Sequence, residues 1–95
     1  MNYKLKILPK AKKDLKESAI WYEKTQKGLG KRFIDAVKAE LVIVKNEPLL
    51  FQTRYDNNKV ILVKNFPYVI HYEIIDTNIL IKAILHTSRD SKIGK

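Results

Sequence analysis

Phe66-Pro67-Tyr68-Val69-Ile70-His71-Tyr72-Glu73-Ile74-Ile75, followed after Asp76-Thr77-Asn78 by Ile79-Leu80-Ile81-Lys82-Ala83-Ile84-Leu85-His86, decides the fold of this chain. From Tyr68 the residues alternate. Tyr68, Ile70, Tyr72 and Ile74 fall on one side and Val69, His71, Glu73 and Ile75 on the other, the period of two that marks a sheet. Pro67 fixes its own φ and lacks an N–H where the strand begins, one of the few strand positions that tolerates proline. Asp76-Thr77-Asn78 reads as a hairpin turn, so the run from Ile79 to Leu85 returns antiparallel. The exit His86-Thr87-Ser88-Arg89-Asp90 is polar and charged, and the tail from Thr87 to Lys95 is expected to fray.

Upstream, Val60-Ile61-Leu62-Val63 is a short strand-type run, turned back by Asn65-Phe66-Pro67, and Gln52 to Asn58 is polar and turn-like. Tyr3-Lys4-Leu5-Lys6-Ile7 alternates cleanly and predicts a half-buried strand with Lys4 and Lys6 on its polar side, ended by Pro9. Between these strands the period changes. Ala11, Leu15, Ala19 and Tyr22, with Ser18, recur at helical spacing and predict a helix from Lys10 to about Thr25, with Pro9 near its start. Trp21 lies off the centre of that stripe and either caps the core or covers a neighbouring element.

After the short break Gln26-Lys27-Gly28, a second helix is predicted from Leu29 to Lys45. Leu29, Phe33, Ala36, Val37, Leu41 and Val44 form its stripe, and Pro48 stops it. Glu40 interrupts the stripe and is placed at its edge. Leu41-Val42-Ile43-Val44 is apolar on every side, which predicts that this end is the more deeply buried one. So brief a connection makes the two helices an antiparallel pair. The order strand, helix, helix, strand, strand, strand predicts an α+β fold: an antiparallel sheet with a helical hairpin packed on one face. Residues 1–95 make one domain.

Charge is the second strong signal. Nineteen Lys and Arg against ten Asp and Glu leave a net +9, and in the first sixteen residues six lysines face only Asp14. Such a field favours a polyanion or an acidic protein, although lysines also keep a small protein soluble and guard a strand edge. Only Arg32, Arg54 and Arg89 are arginines. Bidentate readout of bases or phosphates prefers arginine, which argues against sequence-specific nucleic-acid recognition. The chain has no cysteine, so neither disulfides nor a thiolate metal site is available. No apolar run reaches membrane-spanning length and the N-terminus lacks the apolar core of a secretory signal, so a cytoplasmic protein is expected.

Several local motifs occur together in order. Ala11-Lys12-Lys13-Asp14-Leu15 opens the first helix and Trp21-Tyr22 lies near its end. Gly30-Lys31-Arg32-Phe33 opens the second, Pro48 closes it, and the FPYVIHY strand with the HTSRD exit is the most specific piece. Together they resemble the toxins of the RelE/ParE superfamily, the ParE branch in particular, over essentially the whole chain. The resemblance implies the toxin of a type II toxin–antitoxin module of plasmid-stabilisation type. A cognate acidic antitoxin would neutralise it, in a possible hetero-oligomer, and DNA gyrase or the ribosome would be its target. ParE-like members act by binding gyrase, whereas RelE-like members are ribosome-dependent mRNA endonucleases.

Most motif residues also have structural readings. Asp14 in the first turns of a helix meets the positive end of the dipole. Phe33, Tyr68 and Tyr72 read as core aromatics. Arg32 binds a partner or Asp35, or lies solvated. RNA cleavage needs a base, an acid and a cation for the charged phosphorane. Only His71 and His86 suit acid–base duty near neutrality. His71 lies mid-strand and reads as packed. His86, with Arg89 and Arg54, is the candidate catalytic set of the nuclease alternative, although the segment after His86 lacks the aromatic residue common in such nucleases. No metal ligand spacing and no cofactor loop is present: Gly28 and Gly30 are not preceded by a strand. For a binding mechanism the candidates are Trp21, Leu29, Val42 and Ile43 toward the antitoxin, and Lys10, Lys12, Lys13, Lys59 and Arg89 toward the target.

Overall fold

Pro9 decides where the first strand ends and the first helix begins. In the computed structural model, which describes residues 3–51, 53–55 and 57–88 without the side chains of Arg54 and Tyr55, β1 spans Lys4–Ile7 and α1 spans Pro9–Thr25. Leu8 is the extended N-cap, and proline occupies the first turn, where its missing N–H has no intrahelical partner to lose. Gly28 at φ 87° turns the chain into α2, Leu29–Asn46. The Glu23 carboxylate then accepts from the Gly28 N–H, at 3.0 and 3.1 Å to its two oxygens, and from the Gly30 N–H at 3.0 Å. Two orphan donors of the α2 N-terminus are thereby satisfied from α1.

The remaining elements are β2 (Thr53–Tyr55), β3 (Asn58–Leu62), β4 (Tyr68–Ile75) and β5 (Asn78–His86), in a five-stranded sheet of order β1-β5-β4-β3-β2. The expected α+β architecture, a sheet carrying a helical hairpin on one face, is therefore observed. Two details differ from the sequence reading. β1 pairs with β5 in parallel, so the sheet is mixed, while its other three pairings are antiparallel. Thr53–Tyr55, expected as turn, forms a short edge strand because its backbone pairs with β3.

Helix-facing residues form one core. Ala11, Ala19 and Tyr22 of α1 and Phe33, Val37, Leu41 and Val44 of α2 pack on Ile61, Tyr68, Ile70, Tyr72, Ile79, Ile81 and Ile84 of the sheet. Fully burying each large apolar side chain contributes about 1.5–3 kcal/mol before conformational entropy is counted. The β5 spacing Ile79, Ile81, Ile84 breaks strict alternation, and the register explains it. His71 lies opposite Ala83 and Tyr72 opposite Ile81, so Lys82 is an extra, bulged residue that resets which side faces the helices. Asp76, at φ 56°, turns the two-residue connection between β4 and β5.

Two burial expectations are corrected. Of Leu41-Val42-Ile43-Val44, only Leu41 and Val44 are buried; Val42 is 59% and Ile43 42% exposed, since the sheet lies on one side of this helix alone. Glu40 is buried, not marginal: its Oε2 accepts from the Lys64 N–H at 3.1 Å, holding the turn that leads into β4.

Candidate functional site

Three regions carry the sequence-predicted site residues. At the C-terminal end of β5 the His86 ring meets Tyr68 edge-on, with centroids 5.2 Å apart. His86 Nδ1 accepts from the Ser88 N–H at 3.0 Å, and the Thr87 N–H donates to Pro67 O at 2.8 Å. A neutral His86 in this arrangement carries its proton on Nε2. His71 is 3% exposed and belongs to the opposite side of the sheet, in register with Val60 and Ala83. Burial holds its pKa below the ordinary 6.5, and the charge of Lys10 pushes the same way. The two imidazoles therefore do not converge. Arg54 belongs to β2, three strands from β5, opposite the far end of the hairpin; the register puts its backbone roughly 20 Å from that of His86. Arg89 and Asp90 lie outside the described residues, as does the tail from residue 89 onward. No group of three or more His, Cys, Asp or Glu among the described residues could hold a metal ion.

The second region is a cleft of about 420 Å³ between α1 and the edge of β5, lined by Lys10, Asp14, Glu17, Ser18, Trp21, Tyr68, Ile84 and Leu85. It exists because β1 pairs with β5 only from Asn78 to Ile81. Beyond that point α1 runs beside the strand, and Asp14 Oδ2 accepts the Ile84 N–H at 3.0 Å. Asp14 was expected to meet the helix dipole, but α1 begins at Pro9 and has no acidic residue in its first turn; the tie of Asp14 is to the sheet. Trp21, 50% exposed, forms one wall and stands edge-on to Tyr22 at 5.1 Å.

The third region is the outward face of the hairpin. Val42 and Ile43 lie exposed toward the C-terminal end of α2. Leu29, at its start, is half-buried against the core and about 20 Å away along the helix. Trp21, Leu29, Val42 and Ile43 therefore do not form one patch. Lys12 and Lys13 are exposed on α1. Lys10 is engaged by Asp14 at 2.8 Å, and Lys59 Nζ donates to Phe51 O at 2.7 Å, so both amines also have internal work. Asp35 pairs with Lys31 at 3.0 Å. The sequence reading missed an apolar groove between the helices, floored by Ala19, Ile20, Gly30 and Ile34. Its one sequence signal is Ile20, an aliphatic residue standing off the buried stripe of α1.

The sequence model described as the ParE toxin of the type II toxin–antitoxin system parDE matches residues 5–91. The chain belongs to the ParE toxin family. Among solved structures, this ParE-family toxin is similar to a chain of the chromosomal ParDE system from P. aeruginosa, with a TM-score of 0.68 and 17% identity. The match covers 88% of this chain and 95% of the other. At that identity the likeness concerns the fold. No curated protein matches. No helix among the described residues is long and apolar enough to cross a membrane.

Proposed function

We propose that this toxin acts by binding, with DNA gyrase as its target, and that a cognate acidic antitoxin neutralises it in a module of plasmid-stabilisation type. The observation that carries the reading is the separation of the groups a nuclease would need to combine. His71 is sealed in the sheet, His86 lies on the other face with Nδ1 engaged by Ser88, and the backbone of Arg54 is roughly 20 Å from that of His86. General acid–base catalysis needs its groups within hydrogen-bond reach of one substrate. The surface instead offers exposed lysines, which attract an anionic partner, and exposed Trp21, Val42 and Ile43, apolar surface that a protein partner would cover. In this reading Trp21, Leu29, Val42 and Ile43 contribute to the antitoxin contact, Lys10, Lys12, Lys13, Lys59 and Arg89 to the contact with the anionic gyrase–DNA complex, and both partners are met in the cytoplasm.

Purified toxin added to gyrase in a supercoiling assay tests the reading, with translating ribosomes and mRNA as the parallel arm. Inhibited supercoiling with intact transcripts is the expected result. Cleaved mRNA with unaffected gyrase overturns it in favour of the endonuclease.

A further inference from the structure

β1 and α1 follow the same strand one after the other, and that continuity lines up charge along one rim. β1 runs parallel to β5 with Lys4 level with Asn78, and α1 carries on beside β5 until Asp14 reaches the Ile84 N–H. Leu5 and Ile7 pack toward the core, so Lys4 and Lys6 stand on the helix-free side of β1, about 6.6 Å apart along the strand. Lys10 and Lys13, three residues apart in the opening turns of α1, continue the row. All four are exposed. Ile75 and Ile70 of β4 face Asn78 and Ile84, and five residues of strand between them give the row a length of roughly 17 Å.

The surroundings of the rim say what it suits. Among the described residues, no exposed large apolar side chain comes before Ile20. A protein interface has an apolar centre poor in lysine, so this rim lacks what a protein partner would cover. Its charge is also little compensated. Asp14 turns inward to the Ile84 N–H and Lys10, and among the described residues Lys4, Lys6 and Lys13 have no carboxylate partner. Lysines on β1 can guard a sheet edge, but Lys13 is on a helix, which has no edge to guard. We infer that the rim formed by Lys4, Lys6, Lys10 and Lys13 binds the phosphate backbone of duplex DNA, without regard to base sequence. This rests on the proposed action on the gyrase–DNA complex and assigns part of that contact to the DNA itself. A duplex carries one charge per about 1.7 Å of axis, so about ten phosphates lie within the length of the rim. Lysine supplies compact charge without the bidentate fork that reads bases. Lys10 shares its charge with Asp14, which leaves three amines at full strength and a slope of log K on log salt of about −2.7.

The test measures fluorescence anisotropy of a labelled duplex of arbitrary sequence with the full-length toxin, from about 50 to 200 mM salt. Replacing Lys4, Lys6 and Lys13 together by Gln is expected to weaken binding at least about tenfold and to remove most of the salt dependence. Replacing Lys24, Lys38 and Lys45 by Gln makes the same change in net charge away from the rim, and should weaken binding less than about threefold. All six positions are exposed, and circular dichroism checks that both variants fold. Equal weakening by the two sets assigns the affinity to net charge and overturns the inference, as does a wild-type toxin that leaves the duplex free at the lowest salt. Single-stranded RNA of the same length bound about tenfold tighter than the duplex gives the rim to RNA and overturns it too. A supercoiling assay separates this inference from the reading beneath it. Gyrase inhibition by a toxin without DNA affinity keeps the reading and removes the rim, whereas rim-dependent DNA binding with supercoiling unaffected keeps the rim and removes gyrase.

Discussion

Asp14 Oδ2 accepts the Ile84 N–H at 3.0 Å while the same oxygen receives Lys10 Nζ at 2.8 Å, so one carboxylate joins the first helix to the last strand across seventy residues of sequence. Its place is set by β1, which stops at Ile7 and leaves the second half of β5 without a strand neighbour on that side. A carboxylate does there what a strand carbonyl would have done. Asp14→Ala should strand a partly buried amide and lower unfolding stability by about 1–3 kcal/mol in urea titrations. Asp14→Asn keeps an acceptor oxygen and should lose less. Equal losses would mean that the ion pair with Lys10, not the amide bond, is what matters.

Gly30 offers a sharper test of helix packing. The contact that a new Cβ would meet is backbone oxygen, which cannot rotate away. Gly30→Ala should therefore push the helices apart and cost about 1–3 kcal/mol despite alanine's better helix propensity. Gly28→Ala meets open space but must adopt φ 87°, so its cost arises from backbone strain alone. The two variants separate in the amide spectrum. Gly30→Ala should shift resonances on both helices, Gly28→Ala only those around the turn.

The helices and the Tyr68–Ile75 strand were legible because periodicity is a local property: Phe33, Val37, Leu41 and Val44 repeat on one side whatever lies opposite. What escaped was non-local. β2 is three residues with no period of its own, made a strand by β3. The burial of Glu40 depends on an amide 24 residues away. The exposure of Val42 and Ile43 follows from the sheet covering only one side of α2, which an all-round apolar run conceals. The parallel partner of β1 is likewise a choice made across the whole chain. At the candidate site, the exposed indole of Trp21 could be suspected from its place off the helical stripe. Of the groove only Ile20 gave a hint, because its floor is made by Gly30 meeting Ala19.

His71 predicts an acid-sensitive fold. Burial and then Lys10 lower its folded pKa, so as pH falls the unfolded chain takes up the proton first. Stability from the neutral ring is fully present above pH 6.5, the ordinary value, and declines as pH drops from there toward the depressed folded value. The slope approaches at most about 1.4 kcal/mol per pH unit for one group. His71→Leu should flatten urea midpoints between pH 7.5 and 5 relative to wild type, whatever it does to stability at pH 7.5. An unchanged slope would place the acid sensitivity elsewhere.

Tyr72 gives the alkaline counterpart. Its hydroxyl donates to Pro48 O at 3.0 Å inside the core, and burial pushes its pKa up to about 12 from 10.0. Above pH 10 the unfolded phenol ionises before the folded one, so stability present below pH 10 is lost between 10 and 12. Tyr72→Phe removes that dependence. At neutral pH it also leaves the Pro48 carbonyl without its donor, at a cost of about 0.5–1.5 kcal/mol. The variant should start less stable than wild type and converge toward it as pH rises to 11.

His86 and Trp21 lie at opposite ends of the functional argument, and paired substitutions separate the two mechanisms. If the toxin acts by binding, removing the imidazole leaves toxicity on expression without the antitoxin largely intact, and SOS induction and filamentation persist in His86→Ala. If it cleaves mRNA, loss of a general acid or base should lower the rate about 10²- to 10⁴-fold, and toxicity disappears. Trp21→Ala runs the other way. Removing a half-exposed indole spares the buried core, so under the proposed binding mechanism toxicity is retained, while affinity for the proposed antitoxin should fall by roughly tenfold or more if the cleft wall is part of that contact. An alanine at Trp21 that leaves antitoxin affinity unchanged removes the tryptophan cleft from the proposed interface.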